Sequence, residues 1–224
     1  MKIFKHRCKL GDIIYSLPVI KHMGGGVLYL DPDSPHFPNQ HDIWVERFQW
    51  LIPLLRRQPY IEHVKVWEGE PYEVDLDDYM KTTHLTKGDR VSIVDNHFIA
   101  QGFEPVPYNP WLHACGMSRL NATIVANSNN HHDPELDWRK YIKGNELFVG
   151  TEKEADEFEQ RCEHRLRNIV CQNALQLAEI IKGAEIFMGN QSLPLAIALG
   201  LGKRCLVEET PLYPNCIMGN YVKL

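Results

Sequence analysis

Residues 5–31 read KHRCKLGDIIYSLPVIKHMGGGVLYLD, and the punctuation of this stretch decides the fold. The apolar run Lys2-Ile3-Phe4 leads into it as a strand, and the chain turns at Leu10-Gly11-Asp12. Ile13, Leu17 and Ile20 then recur at helical spacing over residues 13–23, and Gly24-Gly25-Gly26 stops the helix before a second strand, Val27-Leu28-Tyr29-Leu30. Strand, helix, strand is a βαβ unit, which predicts a parallel sheet covered by helices. Pro18 has no N–H and clashes with the preceding turn, so the helix is expected to begin near Ser16 or to kink there. Asp12 follows the first strand directly. An acid at that turn is either a helix cap or a carboxylate placed to take a proton from a hydroxyl, because α/β folds bind ligands at the carboxyl ends of their strands.

The same alternation continues outward. A proline-punctuated loop (residues 31–41, with His36 and Phe37) follows the second strand and reads equally as a structural linker or as the candidate acceptor-side loop. A helix is expected over 43–57 and a strand over 64–67, while YEVDLDDYM and VSIVDNHFIAQGF are less regular. The pattern pauses at NPWLHACGMSRLN and restarts with a strand at 122–126, which places a domain boundary near residues 116–120: an amino-terminal domain 1–117 and a carboxy-terminal domain 118–224. In the second half, Leu147-Phe148-Val149 is a strand and Thr151-Glu152-Lys153-Glu154 a capping box, opening a helix whose stripe is Ala155, Phe158 and Cys162. A short strand over 168–171, a helix from Ala174 stopped by Gly183, a strand at 186–188, a second small-residue helix and a last strand at 204–207 complete the pattern. The carboxy-terminal YPNCIMGNYVKL fits either strand or loop.

The chain has 224 residues, 44% hydrophobic and 24% charged, ordinary values for a globular α/β protein of one or two units. No apolar run approaches a membrane span, and the amino terminus is too interrupted for a signal peptide. Six cysteines lie scattered without CxxC pairs, so reduced thiols and a cytoplasmic location are expected. A net charge of −5 disfavours general affinity for nucleic acid. His131-His132-Asp133 lacks a third ligand at metal spacing, and no metal is expected. Cys115 near His113 has no nucleophile signature around it, and Arg161, His164 and Arg165 read as a solvated helix face or as a grip for an anionic ligand.

The turn Gly189-Asn190-Gln191-Ser192 enters a helix that has Pro194 in its first turn. Free N–H groups and the positive helix end suit a phosphate, and Ser192 suits a cap; the two readings are compatible.

Together these stretches resemble a family. GDIIYSLPVI is similar to the amino-terminal signature of family 9 glycosyltransferases, the ADP-heptose lipopolysaccharide heptosyltransferase type, and LAEIIKGAEIFMGNQSLPLAIALGLGKRCLVE resembles that family's distal nucleotide-sugar segment. The resemblance implies a GT-B architecture, two Rossmann-like domains facing a cleft, and transfer of a sugar from a nucleotide-diphosphate donor by inverting displacement without a metal or other cofactor. It implies Asp12, in the turn with Gly11, as the base acting on the acceptor hydroxyl. It further implies Glu152 at the nucleotide ribose, Asn127 and Ser128 at a phosphate-contacting strand end, and Asn190, Gln191 and Ser192 at the donor diphosphate, with Gly189 allowing close approach. Trp138 resembles a tryptophan following the first of those turns, and Lys9, Arg139 and Lys203 are candidate positive charges. The sequence departs from the family where an acid and a histidine are usual: Gln191 and Ala196 stand there. The acceptor classes this leaves open are a surface glycan, a lipid-linked saccharide, or a hydroxymethylated base in DNA. A binding domain that keeps the fold without catalysis is the alternative to an enzyme.

Overall fold

The computed structural model describes residues 1–34, 38–82, 91–107, 109–115, 119–128, 131–210, 218 and 221–224. The chain divides into two units: Met1–His113 with Asn173–Leu175, and Ala114–Gln172 with Gln176–Leu224. Part of the expected boundary, residues 116–118, and His36 and Phe37 of the acceptor-side loop lie outside the described residues.

The first unit is built on β1 (Lys2–His6), β2 (Gly26–Leu30), β3 (Ile61–Val66) and the two-residue β4 (Val74–Asp75). All pairings are parallel and the order is β3-β2-β1-β4, so the chain reverses its direction of travel across the sheet between β1 and β4. Its helices are α1 (Leu10–His22), α2 (His41–Leu55), the single turn α3 (Tyr79–Thr82) and α4 (Ile93–Ala100). The glycine stop has a geometric cause: Gly24, Gly25 and Gly26 take φ of +93°, +79° and +150°, and a Cβ on Gly25 would lie 2.3 Å from the Tyr60 carbonyl oxygen.

Helix α1 departs from expectation. It starts at Leu10 and runs through Pro18 to His22 without a break. Proline leaves the carbonyl four residues back, that of Ile14, without its helical partner, and the indole N–H of buried Trp111 donates to that oxygen at 3.1 Å. A side chain 97 residues away thus supplies the missing bond.

The second unit has β5 (Thr123–Ala126), β6 (Leu147–Val149), β7 (Arg167–Ile169), β8 (Ile186–Asn190), β9 (Cys205–Glu208) and β10 (Tyr221–Lys223) in a parallel sheet ordered β10-β9-β8-β5-β6-β7. Counted from β5, this is the 3-2-1-4-5-6 order of a Rossmann sheet, with its switch point between β5 and β8. Helices α5 (Glu152–Cys162), α6 (Ala174–Gly183) and α7 (Leu193–Gly200) connect the strands. The capping box forms as read: Thr151 Oγ1 accepts from the Glu154 N–H at 3.2 Å, and Glu154 accepts from the Thr151 N–H at 2.8 Å. One face of the sheet closes over a core of Val125, Trp138, Phe148, Phe158 and Met188, the Trp138 and Phe158 rings meeting edge-on at 5.0 Å. Each large side chain buried there contributes ~1.5–3 kcal/mol.

Candidate functional site

In the first unit, the carboxyl end of β1 carries the candidate base. Asp12 is half-buried in the first turn of α1, with Gly11 beside it, and Lys9 at the N-cap position makes no side-chain cap. Burial pushes the Asp12 carboxyl up from its ordinary range, against the opposing pull of the His6 charge, a hydrogen bond from Tyr79 and the charge of Lys9. Behind it lies a buried polar group that sequence reasoning missed. His6 Nδ1 is 2.9 Å from Asp77 Oδ1, Arg7 Nε is 2.8 Å from Asp77 Oδ2, and the Arg7 backbone N–H donates to Asp77 Oδ1 at 3.1 Å. Burial alone would raise the Asp77 carboxyl; the His6 charge and hydrogen bond, with the Arg7 and Cys8 donors, outweigh it and hold Asp77 well below the usual carboxylate range. Nearby, Lys5 is buried between Asp31 (3.4 Å) and Asp75 (3.6 Å), over the rings of Tyr72 and Trp67.

His6, Cys8 and Asp77 bring nitrogen, sulfur and oxygen donor atoms within 4.8 Å of one another. Such a donor set suits a borderline cation in principle. Here both oxygens of Asp77 already face Arg7 or His6, and the guanidinium supplies the positive charge a cation would bring. The arrangement is that of a buried ion-pair network, in which His6 Nε2 has no hydrogen-bond partner among the described residues.

In the second unit, the expected donor residues gather at the switch point. Asn190 ends β8 and clamps the turn after β5: its Oδ1 accepts from the Ser128 N–H at 3.2 Å and its Nδ2 donates to the Ser128 carbonyl at 2.6 Å. Gln191 accepts from the Thr210 N–H at 3.1 Å. Both side chains therefore serve the loops around the turn, through contacts made within the protein. Asn127, 3% exposed, donates to Glu208 Oε2 at 2.5 Å, and its own Oδ1 is buried without a hydrogen-bond partner among the described residues. Gly189 is dictated by the sheet, since a Cβ there would lie 2.2 Å from the Ala126 carbonyl oxygen.

Helix α7 begins at this point. Ser192 holds the N-cap position but makes no side-chain cap bond; its hydroxyl turns back to the Asn190 carbonyl at 3.3 Å. The simple capping role is thus absent, and the N–H groups of the helix's first turn are not taken by Ser192.

Several residues stand elsewhere. Glu152 is exposed at the start of α5, after the carboxyl end of β6, the parallel neighbour of β5, and faces Arg165 at 3.7 Å. Trp138 is a core residue, 1% exposed. Arg139 is engaged by Asp137 at 2.7 Å and Glu163 at 3.1 Å. Lys203 precedes β9, at the opposite end of that strand from Glu208, and binds the carbonyls of Lys182 and Ala184, so it caps the end of α6 and is withdrawn as a phosphate partner. Arg161 is not solvated as expected: its terminal nitrogens are buried without partners among the described residues, and burial pushes its pKa down.

Glu208 is the residue this site adds. It ends β9 beside Asn190 in register, is 1% exposed, and accepts from Asn127 and from the Asp133 N–H at 2.7 Å. Burial raises its carboxyl while those two donors pull it back. The signal present in the sequence was LVEE, a carboxylate closing an apolar strand; its place near the switch point comes from the strand order.

The fold is a parallel α/β architecture of the GT-B type, with a strand-order reversal in each sheet, the position at which open α/β sheets generally take ligands. Solved structures of that fold match the whole chain. A family 9 glycosyl transferase from Veillonella parvula DSM 2008 is 12% identical over 100% of this chain and 85% of its own, with a TM-score of 0.61. The E. coli heptosyltransferase WaaC, solved with ADP-2-deoxy-2-fluoro heptose, is 10% identical over 100% of this chain and 93% of its own, with a TM-score of 0.59. The dodecameric iron-containing heptosyltransferase TibC, in complex with ADP-D-beta-D-heptose, is 13% identical over 98% of this chain and 62% of its own, with a TM-score of 0.62. No protein-family model matches the chain, and no curated protein does. At these identities the likeness establishes the fold that the protein shares with family 9 glycosyltransferases.

Proposed function

We propose that the protein is a glycosyltransferase that moves a sugar from a nucleotide-diphosphate donor to an acceptor hydroxyl. The observation that carries this reading is the start of α7, at the switch point of a Rossmann-ordered sheet with Ser192 turned away from capping it. Amide groups and the positive end of a helix suit a diphosphate, both bound and departing. Asp12 acts as the base: it takes the acceptor proton as the acceptor oxygen bonds to the anomeric carbon and the bond from that carbon to the phosphate oxygen breaks, with inversion. No metal is required in this scheme, because helix and backbone dipoles meet the leaving charge.

The acceptor we assign is a surface glycan or lipid-linked saccharide; the net charge of −5 weighs against modified DNA. No helix among the described residues is long and apolar enough to cross a membrane. We place the protein in the cytoplasm, a reading supported by six cysteines scattered along the sequence without CxxC pairs. A sugar-nucleotide-binding domain without transfer is the second reading, favoured by Asn190 and Gln191 being spent on internal contacts. A thermal-shift screen of nucleotide sugars tests both readings, since a ligand bound to the folded state alone raises apparent stability. A stabilising donor that is then consumed in the presence of a saccharide acceptor establishes the enzyme, and one bound but never consumed establishes the binding domain. Absence of any stabilising nucleotide sugar sinks both.

A further inference from the structure

The first unit holds a cavity away from the carboxyl end of β1. It measures about 290 Å³ and lies between the last two turns of α1, the end of α4 and the segment that leads on to Trp111. Its floor is apolar and firmly held. Phe98 of α4 and Trp111 are 1% and 3% exposed, and Pro18 continues the same surface. Trp111 is fixed at two points, since its indole N–H donates to the Ile14 carbonyl and its own carbonyl accepts from the Tyr60 hydroxyl at 2.6 Å. The proline that interrupts the hydrogen bonds of α1 and the tryptophan that answers it thus form one face of the cavity.

The rim is of opposite character. Lys21, His22 and Asn109 are exposed there, and no carboxylate lines the cavity among the described residues. Lys21 Nζ lies 6.0 Å from the centroid of the Tyr60 ring and has no ion-pair partner among the described residues. The His22 imidazole packs edge-on against Phe98 and Phe103, with centroids 5.3 and 4.8 Å apart, contacts that set its plane. Neither its nitrogens nor the Asn109 amide have a hydrogen-bond partner among the described residues. Three polar side chains therefore stand around an apolar floor with their hydrogen bonds to give.

We propose that this cavity is a second ligand site, for a small carboxylate with an aromatic or short aliphatic body: the body lies on Trp111, Phe98 and Pro18, and the carboxylate accepts from Lys21 and from His22 or Asn109. An apolar body displaces water from the floor, and the carboxylate gains charge-assisted bonds at the rim. A neutral molecule of the same shape forgoes the second gain, and an ammonium meets Lys21 as a like charge. The volume sits at the low end of small-molecule sites, which selects a ligand about the size of phenylacetate over a nucleotide sugar. Along α1, Pro18 to His22 lie about 9–15 Å beyond Asp12 at 1.5 Å per residue, so the site is separate from the proposed base while resting on the same helix.

The test uses the whole protein without nucleotide sugar, and its outcome is independent of the glycosyltransferase reading. Phenylacetate, 2-phenylethanol and 2-phenylethylamine share a body and differ in charge. Calorimetric titration is expected to give saturable binding of phenylacetate with a Kd on the order of 0.1–1 mM, binding of the alcohol ~10-fold weaker and none of the amine. The Trp111 indole resonance in nitrogen-15 spectra, assigned by its loss in Trp111→Phe, should shift in step with phenylacetate saturation. Lys21→Gln is expected to weaken phenylacetate ~10-fold and leave the alcohol unchanged. Val106→Trp, at an exposed position on the cavity wall, should block both compounds, and both variants should melt as the parent does. Absence of saturable phenylacetate binding overturns the site, as does binding that leaves the Trp111 resonance unmoved. Equal affinity for the three compounds, or full phenylacetate affinity in Lys21→Gln, overturns the ligand class. If Val106→Trp does not fold, the Trp111 resonance of the parent protein decides the location.

Discussion

Asp12 gathers the residue-scale arguments. Its position after β1 was legible as a choice between cap and base, because both uses demand an acid at that turn. The structure shows what local sequence could not: besides burial, the groups that tune it include His6 at the end of β1 and Tyr79 from the segment after β4, far apart in sequence. Asp12→Asn is expected to leave nucleotide binding nearly intact and to lower transfer by about 10²-fold or more, the range for a positioned general base, measured by product formation at saturating donor. Asp77 gives a prediction in pH. Its carboxyl is depressed in the folded protein, so its stabilisation is fully present above the unfolded value of ~3.9 and is lost as the pH falls below that towards the folded value. Urea melts between pH 3 and 6 should therefore show a falling midpoint on the acid side, at pH values of about 4 and below, and a flatter dependence in Asp77→Asn. An identical acid slope in that variant would show that Asp77 does not set it.

At the scale of elements, the contrast between α1 and α7 is instructive. Both contain a proline, and the sequence rule for each was sound. In α7 the proline lies in the first turn, where a missing N–H costs nothing, and the helix begins where the pattern said. In α1 the rule failed, because Trp111 answers the orphaned Ile14 carbonyl and no local window contains both residues. Trp111→Phe should keep most of the burial but leave that oxygen unpaired, costing about 1–3 kcal/mol, a fall in the denaturation midpoint without a change in its slope. A variant as stable as the parent would mean that α1 tolerates the defect unaided. The start of α7 carries the complementary test. Aspartate is a good N-cap, so Ser192→Asp should fold; it also sets negative charge where the diphosphate is proposed to lie and is expected to weaken nucleotide-sugar binding by at least ~1 kcal/mol, with Ser192→Ala affecting it less. Because Ser192 makes no cap bond, Ala should also leave the melting curve almost unchanged. Calorimetric titration beside melting curves separates these effects, and parental affinity in Ser192→Asp would put the phosphate elsewhere.

Across the whole molecule, what the sequence revealed is the alternation of strand and helix, since each element is long or periodic enough to declare itself. The order of strands was not legible. The Rossmann order of the second sheet depends on which strands pair, and it is this order that turns Asn127, Ser128, Asn190 and Gln191 from separate turn residues into one group. The two-residue β4 and single-turn α3 escaped because so short an element has no period to detect, and with them went Asp77 and Tyr79. The group at the second sheet's switch point leads to a prediction for the molecule as a whole. If donor recognition belongs to the second unit, hydrogen exchange with saturating nucleotide sugar should slow most at residues 127–128 and 190–196 and at the end of β9, because ligand binding stabilises the closed state of the backbone it touches. The same pattern should persist after treatment with EDTA, since backbone amides and the helix end, with no bridging cation, are proposed to hold the diphosphate. Protection confined to residues 1–113 would move the donor to the first unit. Protection abolished by EDTA and restored by Mg²⁺, Mn²⁺ or iron would make the diphosphate site metal-assembled, and the role given to the start of α7 would pass to that cation.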